Sequence, residues 1–112
     1  MLMGARIAVL TLAGLVILLA QTPKRAPSGG VANGKAVFGD QCVACHAADS
    51  NVKKLGPGLK GLFKKRKLQN GQKPTEESVR ARLEAGGGGM PSYKELLSAE
   101  EKADLLAYLK TL

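Results

Sequence analysis

Residues 42–46 read C-V-A-C-H, a string that gathers both cysteines and the only histidine of the 112-residue chain. Two thiols three positions apart fall on one helical turn, and the imidazole follows directly. A C-x-x-C pair alone would suit a thioredoxin-like dithiol, but that chemistry belongs in a βαβ context, and the flanking Gly34–His46 stretch has a helical pattern. Structural zinc takes four ligands, usually from two pairs, and the chain has no second pair to offer. A disulfide across two intervening residues would close a very small loop, stabilise little and leave the histidine without a role. Covalent attachment of a c-type haem accounts for all three residues: each thiol adds to a vinyl group, and the adjacent imidazole falls under the iron.

The rest of the chain divides around this string. Ile7–Ala20 is an uninterrupted apolar or small run preceded by Arg6, which reads as a leader rather than as part of a fold. Its length suits a secretory h-region and is short of the roughly 20 residues of a spanning helix, although extension back to Leu2 across Arg6 nearly reaches a span. Cleavage after Ala20 would put Leu18 where a small side chain is wanted, which favours an uncleaved anchor, while Lys24 and Arg25 oppose an N-in orientation. Residues 1–22 are therefore expected to form a signal peptide or N-terminal membrane anchor. Residues 23–30, with two prolines, two glycines and a serine, read as a flexible tether, and residues 31–112 as one small domain. A domain of about 80 residues has a marginal apolar core. With no Trp, two Phe and two Tyr in the whole chain, a porphyrin would have to supply much of the buried mass, and the haem-free chain is expected to fold poorly.

Three helices are expected. Ala32–His46 places Gly34 and Phe38 four apart on one face, and a glycine on a helix costs about 1 kcal/mol, so Gly34 suggests a close backbone crossing or simply a first-turn position. Glu76–Glu84 is opened by Thr75 after Pro74 and stopped by Gly86. In Ala99–Leu112 the Ser98/Glu101 pair forms a capping box, and Leu105, Tyr108, Leu109 and Leu112 share a face. No run reads as a strand, so the fold class is all-α.

Two glycine-rich segments lie between the helices. In Leu55–Phe63, L-G-P-G-L-K-G-L-F, Pro57 holds Gly56 extended. Gly86–Gly89 is followed at once by Met90 and Pro91. A mere linker gives no reason for that methionine, whereas glycines let backbone approach a flat cofactor closely. Met90, the only methionine outside the leader, is thus a candidate iron ligand, with a core methionine as the plainer alternative.

Together C-V-A-C-H, G-P-G-L-K-G-L-F, G-M-P and E-K-A-D-L-L-A-Y-L-K strongly resemble the small class I cytochromes c, in that family's order and over about residues 31–112. The resemblance implies helices packed around one covalently attached haem c. It implies thioethers at Cys42 and Cys45, His46 as proximal ligand and Met90 as distal ligand. Pro57 would offer its carbonyl to the far imidazole N–H of His46, fixing the ring. Gly34 and Phe38 would meet Leu105 and Tyr108 where the first and last helices cross. The segment from Phe63 to Thr75 is short and lacks the aromatic residues with which longer members hold the inner propionate, leaving Lys64, Arg66 and Lys67 as candidates.

Histidine and methionine together would fill both axial positions, so the resemblance implies a one-electron carrier rather than an enzyme. Peroxidase or gas-sensing chemistry would need an open or readily opened site, and peroxidase chemistry distal acid–base groups as well, yet the sole histidine is already used. A haem-bearing head subunit of a larger membrane redox complex is the other reading. The formal charge is +8, and Lys53, Lys54, Lys60, Lys64, Lys65, Arg66 and Lys67 cluster within fifteen residues. Acidic redox partners, such as a terminal oxidase or reductase complex, are expected from that charge; anionic headgroups are a second use for it. Nucleic acid is not expected, since no binding motif is present. The resemblance also implies that haem attachment of this kind takes place outside the bacterial cytoplasmic membrane, on its periplasmic side.

Overall fold

The computed structural model describes residues 30–112; the expected leader, residues 1–22, and all of the tether but Gly30 lie outside the described residues. Three α-helices form, α1 (Val31–Gln41), α2 (Glu76–Ala85) and α3 (Ala99–Leu109), with one 3-10 turn at Leu62–Lys64. Among the described residues there is no strand, only two isolated bridges, His46 with Lys53 and Gly87 with Met90. The described domain is thus all-α, as the sequence leads one to expect.

The chain chemistry that opens and closes these helices is local. Thr75 and Ser98 each accept the backbone N–H three residues on, while Ser78 and Glu101 return the bond to the cap residue's own N–H. Both are capping boxes, satisfying donors that a helix start leaves unpaired. Acidic pairs Glu76/Glu77 and Glu100/Glu101 occupy the two first turns, where they face the positive end of the helix dipole. At Gly86 the backbone reaches φ 64° and ends α2.

Two helix ends differ from expectation. α1 stops at Gln41, and C-V-A-C-H itself forms a turn rather than a helix interior. Its bonds show why: His46 N–H still reaches the Cys42 carbonyl, but Cys45 accepts from Gly56 and His46 bridges to Lys53, so the strand of chain that follows must fold back at once. α3 ends at Leu109, and the last residues close with three-residue bonds, Thr111 to Tyr108 and Leu112 to Leu109.

The crossing of α1 and α3 holds the domain together. A Cβ at Gly34 would lie 2.5 Å from the carbonyl carbon of Asp104 and 2.8 Å from Cβ of Tyr108, so the absence of a side chain is what lets the helices touch. Gly34 both lies in the first turn and meets a crossing backbone. Beside it, Phe38 and Tyr108 rings pack tilted at 5.6 Å, and Asn33 donates to the buried carboxylate of Asp104 at 2.7 Å. Leu105 and Leu106, fully buried, form the centre.

Ion pairs tie α2 to α3. Lys102, largely buried, donates to Glu84 at 3.0 Å and to the Lys94 carbonyl at 3.2 Å, while Lys110 pairs with Glu76. Hydrogen bonding from Lys102 holds the Glu84 carboxyl below the usual glutamate range, and the same bond and charge from Lys110 lower that of Glu76. A depressed carboxyl contributes stability that is present above its unfolded pKa and lost as pH falls through its folded one. The thermal midpoint of the holoprotein is therefore expected to decline below about pH 4, and a Glu76→Gln, Glu84→Gln double variant to decline less over the same interval. An equal decline in both proteins, followed by circular dichroism, would refute the assignment.

Candidate functional site

The loops between the helices enclose one cavity of about 740 Å³ that Cys42, Cys45, His46, Pro57 and Met90 all line. Its walls are otherwise mainly apolar, with Phe38 and Cys42 from the α1 end, Leu59 and Leu62 from the Pro57 loop, Val79 and Leu83 from α2, and Leu105 and Leu109 from α3. Volume and lining match the range in which protein pockets bury a cofactor, roughly 300–1,000 Å³. The five residues thus converge from segments far apart in sequence onto a space suited to a large flat apolar group.

His46 is oriented by its neighbours. Its Nδ1 lies 2.8 Å from the carbonyl oxygen of Pro57. A carbonyl can only accept, so Nδ1 carries the proton and Nε2 keeps the free lone pair that a metal would use. Gly56 completes the arrangement: a Cβ there would stand 2.8 Å from Nδ1 and 2.9 Å from Nε2 of the same ring. The G-P dipeptide therefore has two jobs, with proline presenting a carbonyl and glycine making room for the imidazole beside it.

Cys42 caps α1 and is buried, whereas Cys45 is half-buried. Burial, with a further contribution from Cys45, pushes the Cys42 thiol up to about 11.

Met90 is brought to the cavity by a turn that only glycine builds readily. Gly86, Gly87, Gly88 and Gly89 all have positive φ, at 64°, 107°, 62° and 92°, and Gly87 and Met90 exchange backbone bonds of 2.8 and 3.1 Å. The run of glycines therefore serves conformation first. At Gly86 a close approach also matters, since a Cβ would lie 2.6 Å from the Met90 carbonyl oxygen. Past Met90, Tyr93 donates its hydroxyl to the Gln41 carbonyl at 2.8 Å and its amide to Leu83 at 2.8 Å, linking this segment to α1 and α2.

Of the three candidate cations Lys64, Arg66 and Lys67, only Lys67 lines the cavity. Lys53, Lys65 and Arg82 line it as well, and so do Gln69 and Asn70. Lys65 also donates to the Gly58 carbonyl at 2.8 Å. Arg82 and Tyr93 carry no motif that sequence reading could seize on; only their placement beside the Met90 turn marks them. At the mouth, Leu55 is 83% exposed next to Lys53 and Lys54.

Residues 31–112 match the family model described as "Cytochrome c". Cytochrome c6 of Picosynechococcus sp. (strain PCC 7002) is 35% identical over 81 residues, covering 70% of this chain and 69% of that protein. A "Cytochrome c6-like" protein of Nostoc sp. (strain PCC 7120) is 28% identical over 100 residues, covering 89% and 86% respectively. Among solved structures, cytochrome c6 from the diatom Phaeodactylum tricornutum superposes with a TM-score of 0.59 at 30% identity, over 74% of this chain and 93% of that one.

Proposed function

The chain belongs to the cytochrome c family and is a haem-based electron carrier with covalently attached haem c; from that premise we propose that His46 and Met90 are its two axial ligands and that it exchanges single electrons with acidic redox partners. The observation that carries this reading is the convergence of Cys42, Cys45, His46 and Met90 on one apolar cavity, with His46 already turned by Pro57 so that Nε2 is its free nitrogen. When bound, the haem supplies an iron that cycles between two oxidation states. The protein's contribution is to fix both donors, exclude water with the apolar walls, and present a docking surface.

With nitrogen and thioether both in place, no coordination site is open for peroxide or a gas, so transfer is outer-sphere. A soft thioether donor favours the reduced metal and sets the potential high. Lys53, Lys65 and Lys67 at the cavity wall, with Lys54 beside the exposed Leu55, give this face a positive field that accelerates encounter with acidic proteins. Terminal oxidase or reductase complexes are the kind of partner this fits. Residues 1–22 serve as signal peptide or anchor toward the extracytoplasmic side, and 23–30 as a tether, in keeping with a free carrier or a complex's head subunit.

Stopped-flow oxidation of the reduced holoprotein by ferricyanide, a small anion with no binding chemistry of its own, tests the reading. One equivalent should oxidise one protein in a second-order step whose rate falls steeply with ionic strength, because screening weakens the attraction. A rate indifferent to salt would remove the charged docking face, and turnover of peroxide by the native protein would replace the carrier with an enzyme.

A further inference from the structure

The segment that carries Met90 is held very unevenly. After the methionine it is tied down four times: Ser92 donates to the Glu84 carbonyl, Tyr93 bonds Leu83 through its amide and Gln41 through its hydroxyl, and Lys102 reaches the Lys94 carbonyl. Before the methionine lie Gly87, Gly88 and Gly89, exposed and all at positive φ. Glycine gains more freedom on release than any other residue, so this half of the turn is the one prone to open. Among the described residues, one side chain bonds it: Arg82, whose Nη2 donates to the Gly87 carbonyl at 3.2 Å.

Arg82 is well placed for this. It stands in the last turn of α2, its own carbonyl accepts the Gly86 N–H that ends the helix, and its guanidinium lies 3.7 Å from the Cβ positions of both Gly87 and Gly88. The Gly87 carbonyl that it grips is the same one that accepts the Met90 amide at 3.1 Å. Arg82 also lines the haem cavity. Arg80, two residues earlier, pairs instead with Glu76 at 3.8 Å.

We propose that Arg82 is a positioning residue for Met90, a latch from α2 onto the glycine turn that sets how often the methionine leaves the iron. The inference rests on Met90 being the axial ligand. Its consequence is kinetic and thermodynamic: with the latch gone, the open turn is more populated, and an external ligand for the iron binds in proportion to that population.

Imidazole titration of the ferric holoprotein reads this directly, in wild type, Arg82→Gln and Arg80→Gln. Arg82→Gln is expected to bind imidazole roughly tenfold more tightly, the factor that about 1.4 kcal/mol represents, close to the lower end for a hydrogen bond made by a charged group. Arg80→Gln removes an equal charge without touching the turn and should match wild type. Equal affinity in wild type and Arg82→Gln, or an equal gain in both variants, overturns the latch. Amide exchange gives an independent readout: the Met90 N–H should exchange faster in Arg82→Gln with α3 protection unchanged, and a uniform loss across α3 would mean general destabilisation instead. Wild-type protein lacking the weak ferric charge-transfer band of a methionine–iron bond would overturn the ligand reading itself. That result is distinct from a band present with imidazole binding unmoved.

Discussion

Replacing Met90 by alanine is expected to abolish the ferric charge-transfer band, open the iron to imidazole and cyanide, and lower the reduction potential on the order of 0.1 V or more, within the roughly 0.8 V that axial ligands and surroundings span. The direction follows from ligand softness. Thioether sulfur binds ferrous iron in preference to ferric, and for a one-electron couple each tenfold of that preference is about 59 mV. A water or hydroxide in its place has the opposite preference, so the two effects add. Loss of the band with a raised affinity for external ligands, in a protein whose helix content is unchanged, is the expected outcome from an optical titration and a spectroelectrochemical one. A band that survives in Met90→Ala would mean that Met90 is a wall of the cavity and that another group holds the distal side.

The contrast with Arg82→Gln is informative because the two variants act at different links. Met90→Ala deletes a donor and shifts the couple itself. Arg82→Gln leaves the donor and changes only its occupancy, so its band should remain at low ligand concentration. A graded series of wild type, Arg82→Gln and Met90→Ala would separate holding the ligand from being the ligand.

Much of this was readable from residue types because the constraints are local. C-V-A-C-H has few chemical uses, S-A-E-E and T-E-E-S announce helix starts, and a glycine four residues before Phe38 on a helix face needs a reason, which Asp104 and Tyr108 supply. Pro57 was legible through family resemblance, but the part played by Gly56 was not, since only the imbricated imidazole shows why a side chain is excluded there. The helical pattern of the sequence continues through Cys42–His46, but the bond from Gly56 to the Cys45 carbonyl, eleven residues away, turns the chain and ends α1 at Gln41. The glycines before Met90 pointed to close approach to a cofactor, and the backbone angles give a different first reason. Arg82, Tyr93 and Lys102 leave no mark in the sequence because each acts on backbone carbonyls, a role that any arginine, tyrosine or lysine could fill and that no spacing encodes.

Gly34→Ala should cost the holoprotein about 5–20 °C in thermal midpoint, whereas Gly39→Ala on the same helix should hold or raise it. Both changes improve helix propensity by up to about 1 kcal/mol, and both sites lie within α1, so propensity alone predicts two stabilised proteins. Space decides otherwise. Nothing lies within 4 Å of a Cβ at Gly39, but at Gly34 the Cβ would stand 2.5 Å from a backbone carbon of α3 and 2.8 Å from the Tyr108 Cβ. Neither is the end of a flexible side chain that could swing aside, so the helices must part. Overpacking costs typically about 1–3 kcal/mol, sometimes more, and a domain of this size shifts by roughly 4–8 °C per kcal/mol. Parting α1 from α3 also separates Phe38 from Tyr108 and loosens the Asn33–Asp104 bond beside it. Because Cys42 caps α1 and lines the cavity to which α3 contributes Leu105 and Leu109, the strain reaches the walls of the haem site as well as the helix crossing. Calorimetry of the two variants beside wild type checks this, and a Gly34→Ala midpoint equal to or above that of Gly39→Ala would show that the crossing can relax without loss.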